Sequence, residues 1–137
     1  MVKPAVKRIK ANGIQFAYLE MGEGPLVLFL HGFPDTAYSF LPLMNIMAEA
    51  GYRVVAPFMR GYFPTSRSEE GDYSVLGLAK DVLAIIDALA LDDEKAMVIG
   101  HDWGALAAYT AANLEPEKIR VLVQMNVPHM FASKLTW

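Results

Sequence analysis

Residues 100–104 read Gly-His-Asp-Trp-Gly and stand between the apolar run Ala96 to Ile99 and the small-residue stretch Ala105 to Ala112. A short apolar run followed at once by an alanine-rich stretch is a strand that turns sharply into a helix. Such a turn crowds the backbone on both sides, and glycine is the residue that tolerates crowding, which accounts for Gly100 and Gly104. In a parallel sheet, functional groups collect at the carboxyl ends of the strands, where Asp102 falls. The spacing is that of G-x-S-x-G, with aspartate in the serine position. Taken alone, the stretch supports two readings. Asp102 is either a helix cap in an ordinary turn or a reactive carboxylate lifted above the sheet.

The rest of the chain supplies the sheet that this turn needs. Val6 to Lys10 and Gln15 to Glu20 flank Asn12-Gly13, a hairpin signal. Gly22 to Pro25 reads as a turn, and Leu26 to Leu30 as a strand covered on both faces. His31 to Asp35 is then a loop. Leu43, Ile46, Met47 and Ala50 follow helical spacing before Gly51. Arg53 to Ala56 is a strand closed by Pro57, and Gly61 to Tyr73 is polar and irregular. Ser74 caps a helix whose inward face is Val75, Ala79, Val82, Leu83, Ile86 and Leu89. A helix over Ala105 to Ala112 stops near Pro116, and Val121 to Met125 is the last strand. A hairpin followed by alternating strands and helices is the pattern of an α/β protein with a mostly parallel, twisted sheet and flanking helices.

Composition removes several classes of function. The 137 residues suit one domain, with 54% apolar and 20% charged residues. A net charge of −3 without long runs of one sign argues against nucleic-acid and anionic-membrane partners. No cysteine is present, so there is no thiolate nucleophile or cysteine metal site. The basic start lacks the apolar core of a signal peptide, and no apolar run is long enough to span a bilayer. These features lead to the expectation of a cytoplasmic protein.

Two motifs in order, His31-Gly32-Phe33-Pro34 and Gly100-His101-Asp102-Trp103-Gly104, together with the strand–helix pattern between them, give the chain a family likeness. It resembles the N-terminal half of the α/β-hydrolases, in their aspartate-nucleophile branch of epoxide hydrolases and haloalkane dehalogenases. The likeness runs from about residue 7 to residue 130. It implies that Asp102 is the catalytic nucleophile and that the backbone N–H groups of Phe33 and Trp103 form an oxyanion hole. His31, Gly32, Pro34, Gly100, His101 and Gly104 then set the geometry of the loop and the turn, and Trp103 also contacts substrate. The peptide before Pro34 is expected to be cis.

The chemistry of an aspartate at this position differs from that of serine. A carboxylate is ionised at neutral pH and needs no base to attack. It displaces a leaving group from saturated carbon, as in an epoxide or an alkyl halide, and becomes an alkyl ester. Water must then attack the ester carbonyl, and each backbone donor to the oxyanion is worth roughly 3 kcal/mol. Phe33 has no polar side-chain hydrogen to hold a halide, which favours an epoxide hydrolase over a haloalkane dehalogenase. Fluoroacetate dehalogenases carry arginine where this chain has Trp103. No cofactor and no metal enter the scheme.

His31 and His101 are assigned to positioning rather than to base or metal chemistry, and His129 to a loop at the carboxyl edge of the last strand. Arg60-Gly61-Tyr62 matches a family turn in which arginine is structural, while Phe58 and Phe63 depart from the aspartate and glycine common in relatives. None of Tyr18, Tyr38, Tyr52, Tyr62, Tyr73 and Tyr109 is given a catalytic role. The late histidine, its acid partner and the cap tyrosines of the family have no counterpart, so residues 1–137 read as a partial α/β-hydrolase domain. The expected partners are a small electrophile and, through the last strand, a C-terminal half or a second copy. The alternatives are a dehalogenase half and a non-catalytic module that associates through its open sheet edge.

Overall fold

The computed structural model describes residues 4–127. Six strands form one sheet: β1 (Val6–Ala11), β2 (Ile14–Met21), β3 (Leu26–Leu30), β4 (Arg53–Pro57), β5 (Ala96–His101) and β6 (Ile119–Met125). Their spatial order is β1-β2-β4-β3-β5-β6. The first two form the antiparallel hairpin and β2 pairs antiparallel with β4, whereas β3, β4, β5 and β6 run parallel. Three helices cover the sheet: α1 (Leu41–Glu49), α2 (Val75–Leu89) and α3 (Trp103–Leu114). The α/β class, the mostly parallel sheet and the hairpin are as the sequence predicts.

Every residue of β3 is buried, because the strand lies mid-sheet and both its faces are covered. Leu26, Leu28 and Leu30 face α2 and α3, while Val27 and Phe29 face α1. Each fully buried side chain of this size contributes roughly 1.5–3 kcal/mol of transfer free energy. Four alanines of α3, Ala105, Ala107, Ala108 and Ala111, have no exposed surface, so that helix lies close on the sheet and fixes where its first residue sits.

One helical face differs from the expected one. Ile46 was assigned inward by periodicity but is 63% exposed, and Met44 is buried instead. A 3₁₀ turn over Ala37–Phe40 runs directly into α1 and sets its rotation. Buried Ala37, Phe40 and Met44 and half-buried Met47 form one continuous stripe from the turn into the helix. Gly51 follows the helix at φ 88°, as expected of its terminator. Helix α3 and strand β6 each begin two residues earlier than the sequence pattern indicated, at Trp103 and Ile119.

Two buried polar contacts tie the loops at the carboxyl end of the sheet to its body. Arg60, after β4, donates from Nε and Nη2 to the two carboxylate oxygens of Asp81 on α2, at 2.6 and 2.7 Å. Its Nη1 bonds the carbonyl of Asp72, and Asn12 in the hairpin turn also reaches Asp81, at 2.8 Å. Arg60 therefore acts structurally in this fold. His31, after β3, is buried with both ring nitrogens engaged. Nδ1–H donates to the carbonyl of Gly32 at 3.1 Å, and Nε2 accepts from the N–H of Met59 at 3.0 Å. Burial lowers its pKa from the ordinary 6.5, so the imidazole is neutral near pH 7.

Each contact predicts a loss of stability. Asp81→Ala leaves the Arg60 guanidinium buried without its partner, and a loss of about 3–5 kcal/mol of unfolding free energy, measured by urea titration, is expected. The His31 imidazole is depressed in the folded state, so the unfolded chain binds the extra proton first. Its contribution is complete above a pH of about 6.5 and declines as pH falls below that value, with a slope of up to about 1.4 kcal/mol per pH unit. Denaturant titrations between about pH 7 and pH 5, above the carboxylate range, measure it. A flat profile there would refute the assignment.

Candidate active site

The register Leu30↔Gly100 brings the ends of β3 and β5 level, so the loop after β3 and the turn after β5 meet. Asp102 sits in that turn with φ 55° and ψ −122°. This is a rare conformation for a residue with a side chain, worth on the order of 1–3 kcal/mol of strain. The surrounding backbone holds it. Its N–H donates to the carbonyl of Met125 on β6 at 3.2 Å, and its carbonyl accepts from Ala105 at 2.9 Å as α3 begins.

The flanking glycines are needed for close approach. A Cβ on Gly100 would lie 2.7 Å from Cα of Ala105 and would overlap the carbonyl of Gly104. A Cβ on Gly104 would overlap the carbonyl of Leu30 and lie 2.8 Å from that of His31. The two arms of the turn therefore press on each other and on β3. Gly32 is a third such position, and it faces the carboxylate itself. A Cβ there would overlap Oδ1 of Asp102 and lie 2.8 Å from its Cγ.

The carboxylate does not cap α3. It faces the other loop, where Oδ1 accepts from the N–H of Phe33 at 2.9 Å, and the N–H of Trp103 adds a second favourable interaction with the carboxylate. These two donors, Phe33 first and Trp103 second, hold the Asp102 pKa below its ordinary value, with a smaller contribution from His101. Asp102 is half-buried and ionised. The Phe33–Pro34 peptide is cis, as expected, and so is Phe63–Pro64.

The other predicted residues fall into three groups. His31, Gly32 and Pro34 shape the Phe33 loop, while Gly100 and Gly104 shape the turn. His101 meets side chains of both neighbouring segments: Asn126 donates to its Nε2 at 2.8 Å, and Nδ1 faces Asp35 at 3.7 Å. His129 lies outside the described residues. Phe58 is buried and meets Tyr38 edge-on at 5.4 Å, whereas Phe63 is 90% exposed.

Sequence reasoning missed two tyrosines. Trp103 and His31 border a cavity of about 220 Å³ whose other walls include Tyr62, Tyr73 and Leu78. Tyr62 meets the His31 ring edge-on at 4.6 Å. Burial, then the negative charges of Asp102 and Asp35, push its phenol pKa up, so it keeps its proton. The Arg60-Gly61-Tyr62 turn was the available signal, since a turn after a parallel strand delivers side chains to the same edge as Asp102. Asp81 was missed for a different reason: its acidic side chain lies inside the apolar stripe of α2. Among the described residues, no group of three or more His, Asp or Glu side chains could hold a metal ion, and no helix is long and apolar enough to cross a membrane.

Known proteins share this arrangement. A family model described as the alpha/beta hydrolase fold matches residues 25–136. An epoxide hydrolase of Caballeronia sordidicola is 42% identical over 121 residues, which are 88% of this chain and 36% of that protein. Epoxide hydrolase A of Mycobacterium tuberculosis is 34% identical over 131 residues, 93% of this chain and 40% of its own. The structure of potato (Solanum tuberosum) epoxide hydrolase I superposes with a TM-score of 0.87 at 42% identity, covering 93% of this chain and 41% of that one. The chain thus spans about two-fifths of the length of these relatives. On the family match over most of its residues, the chain belongs to the alpha/beta hydrolase fold family.

Proposed function

We propose that the chain is the nucleophile-bearing part of an epoxide-hydrolase-like enzyme, in which Asp102 opens the epoxide ring. The observation that carries this reading is the ionised Asp102 carboxylate, held by the N–H groups of Phe33 and Trp103 and free of any capping role. Oδ2 attacks a ring carbon, the carbon–oxygen bond breaks, and the ring oxygen leaves as an alkoxide that takes up a proton from solvent water. The product is a hydroxyalkyl ester on Asp102. Phe33 N–H and Trp103 N–H then face the ester carbonyl oxygen and stabilise the oxyanion formed when water attacks. The names of the similar proteins, epoxide hydrolases among them, support an epoxide over a halide. So does Phe33, whose side chain offers no donor to a halide.

Water attack needs a base, and both described histidines have other partners. His31 uses both nitrogens on backbone, and His101 faces Asp35 and Asn126. We therefore expect the 137-residue chain, exposed to a reactive epoxide, to gain the mass of one epoxide at Asp102 and to keep it. Asp102→Asn should gain nothing. Peptide mass spectrometry locates the adduct; a folded protein that stays unmodified at Asp102 refutes the nucleophile, and rapid multiple turnover refutes the stalled ester.

A second reading is favoured by β6, which is the last strand of the sheet among the described residues and exposes Val121 and Val123 at 42% and 41%. An apolar edge of this kind pairs with a further strand, from a C-terminal half or from a second copy. Association measured by light scattering should then weaken in a Val121→Lys/Val123→Lys double variant and be unaffected by Asp102→Asn.

A further inference from the structure

We propose that Asn12 is a site of spontaneous hydrolytic modification, and that its conversion to aspartate or isoaspartate loosens the anchor of Arg60. Asn12-Gly13 is the one place in the sequence where glycine follows asparagine; Asn45, Asn113 and Asn126 are followed by Ile46, Leu114 and Val127. In this reaction the backbone nitrogen of the following residue attacks the side-chain carbonyl carbon of asparagine. A five-membered imide forms and ammonia leaves. Water then opens the ring at either carbonyl, giving aspartate or isoaspartate. One water is consumed and one ammonia released, with no oxidant or catalyst. A side chain on the attacking residue hinders ring closure, and glycine has none.

The fold leaves this pair open to the step. The register Ala11↔Ile14 makes Asn12 and Gly13 the two central residues of the β1–β2 turn, at φ 46° and 74°. Both are exposed, and a Cβ at Gly13 would meet no atom within 4 Å. The turn borders an open cleft of about 340 Å³, through which water reaches it. The side-chain amide is held by the hydrogen bond from Nδ2 to Asp81 Oδ1 at 2.8 Å.

That bond gives the modification its consequence. Oδ1 of Asp81 also accepts from Nη2 of Arg60 at 2.7 Å, so one oxygen serves a neutral donor and a cation together. Arg60 and Asp81 are only 6% and 4% exposed. An aspartate at position 12 has no N–H to offer. It sets a second carboxylate against the first, with one guanidinium for the two. The other charged side chains bordering the cleft are Lys80, Asp72, Glu69 and Glu70, so the added negative charge meets a surplus of its own sign. Two facing carboxylates in a poorly solvated place hold a proton more readily than either does alone. Isoaspartate instead lengthens the backbone of a two-residue turn by one carbon and carries the side chain away from Asp81. Arg60 adjoins Met59, whose N–H holds His31 in the loop before Phe33, so the anchor lies next to the framework of the candidate site.

The test ages the 137-residue protein at mildly alkaline pH and follows each asparagine by peptide mass spectrometry. Asn12 should convert well ahead of Asn45, Asn113 and Asn126. Converted chains, separated by ion exchange on their extra negative charge, should unfold at a lower urea concentration than unconverted ones. Asn12→Asp and Asn12→Ala distinguish the added charge from the lost hydrogen bond, and the aspartate variant should have the lower midpoint of the two. Its deficit against the parent should shrink from about pH 7 to pH 5, because the facing carboxylates bind a proton in the folded state at a pH where the unfolded chain has released it. Conversion of Asn12 no faster than that of the other asparagines in the folded protein overturns the proposal, as do equal midpoints for Asn12→Asp and Asn12→Ala. Should Asn12→Asp fail to fold, the aged chains carry the comparison, and equal midpoints of converted and unconverted chains refute the loosening.

Discussion

The hydrogen bond from Phe33 N–H to Asp102 Oδ1 joins two segments 69 residues apart, and most of the structure serves to bring them together. It requires β3 and β5 to be neighbours, parallel and level at Leu30 and Gly100. Three glycines let the backbones approach that far, with Gly104 against the end of β3, Gly100 against the start of α3 and Gly32 against the carboxylate. The bond forms at an ordinary length because nothing larger than hydrogen occupies these positions. The strain at Asp102 is sustained in the same way, by the β6 carbonyl that accepts its N–H and by the helix that starts on its carbonyl.

A second layer of contacts fixes the loops that carry the donors. His31 joins the Phe33 loop to the segment after β4 through the Met59 N–H, and Arg60 joins that segment to α2 through Asp81. The walls of the cavity beside Trp103 come from the elements linked in this way.

The strand and helix order was legible in the sequence because each element carries a strong local signal: the Asn12-Gly13 turn, the continuous apolar run of β3, the Ser74 cap and the alanines of α3. Ser74 does cap α2, accepting from Gly77 at 3.1 Å. The turn at Asp102 was legible for the same reason, since its two glycines are adjacent in sequence to the residue they serve. Features that depend on distant partners were not. The phase of α1 is set by a 3₁₀ turn without a periodic signature. Asp81 looks like a breach of the apolar stripe until Arg60 and Asn12 are seen to meet it. Tyr62 and Tyr73 become neighbours of Trp103 only once the irregular segment between β4 and α2 is folded.

The same two donors bear differently on the two steps of the proposed reaction. They lower the basicity of Asp102, and a less basic carboxylate is a weaker nucleophile toward carbon. That cost is limited, because an epoxide carbon is strained and the attacking oxygen lies on the side of the carboxylate away from Phe33. Once the ester forms, the donors bind its carbonyl oxygen, draw electron density from the carbonyl carbon and stabilise the charge that develops when water adds. A serine in this place would not use these donors itself, because in acyl transfer they hold the oxygen of the substrate carbonyl. Asp102 already has them in the resting state, so the donor geometry needs no rearrangement between steps. Gly32 must be bare for this geometry to exist at all: a methyl group there would displace the Asp102 carboxylate from the Phe33 N–H.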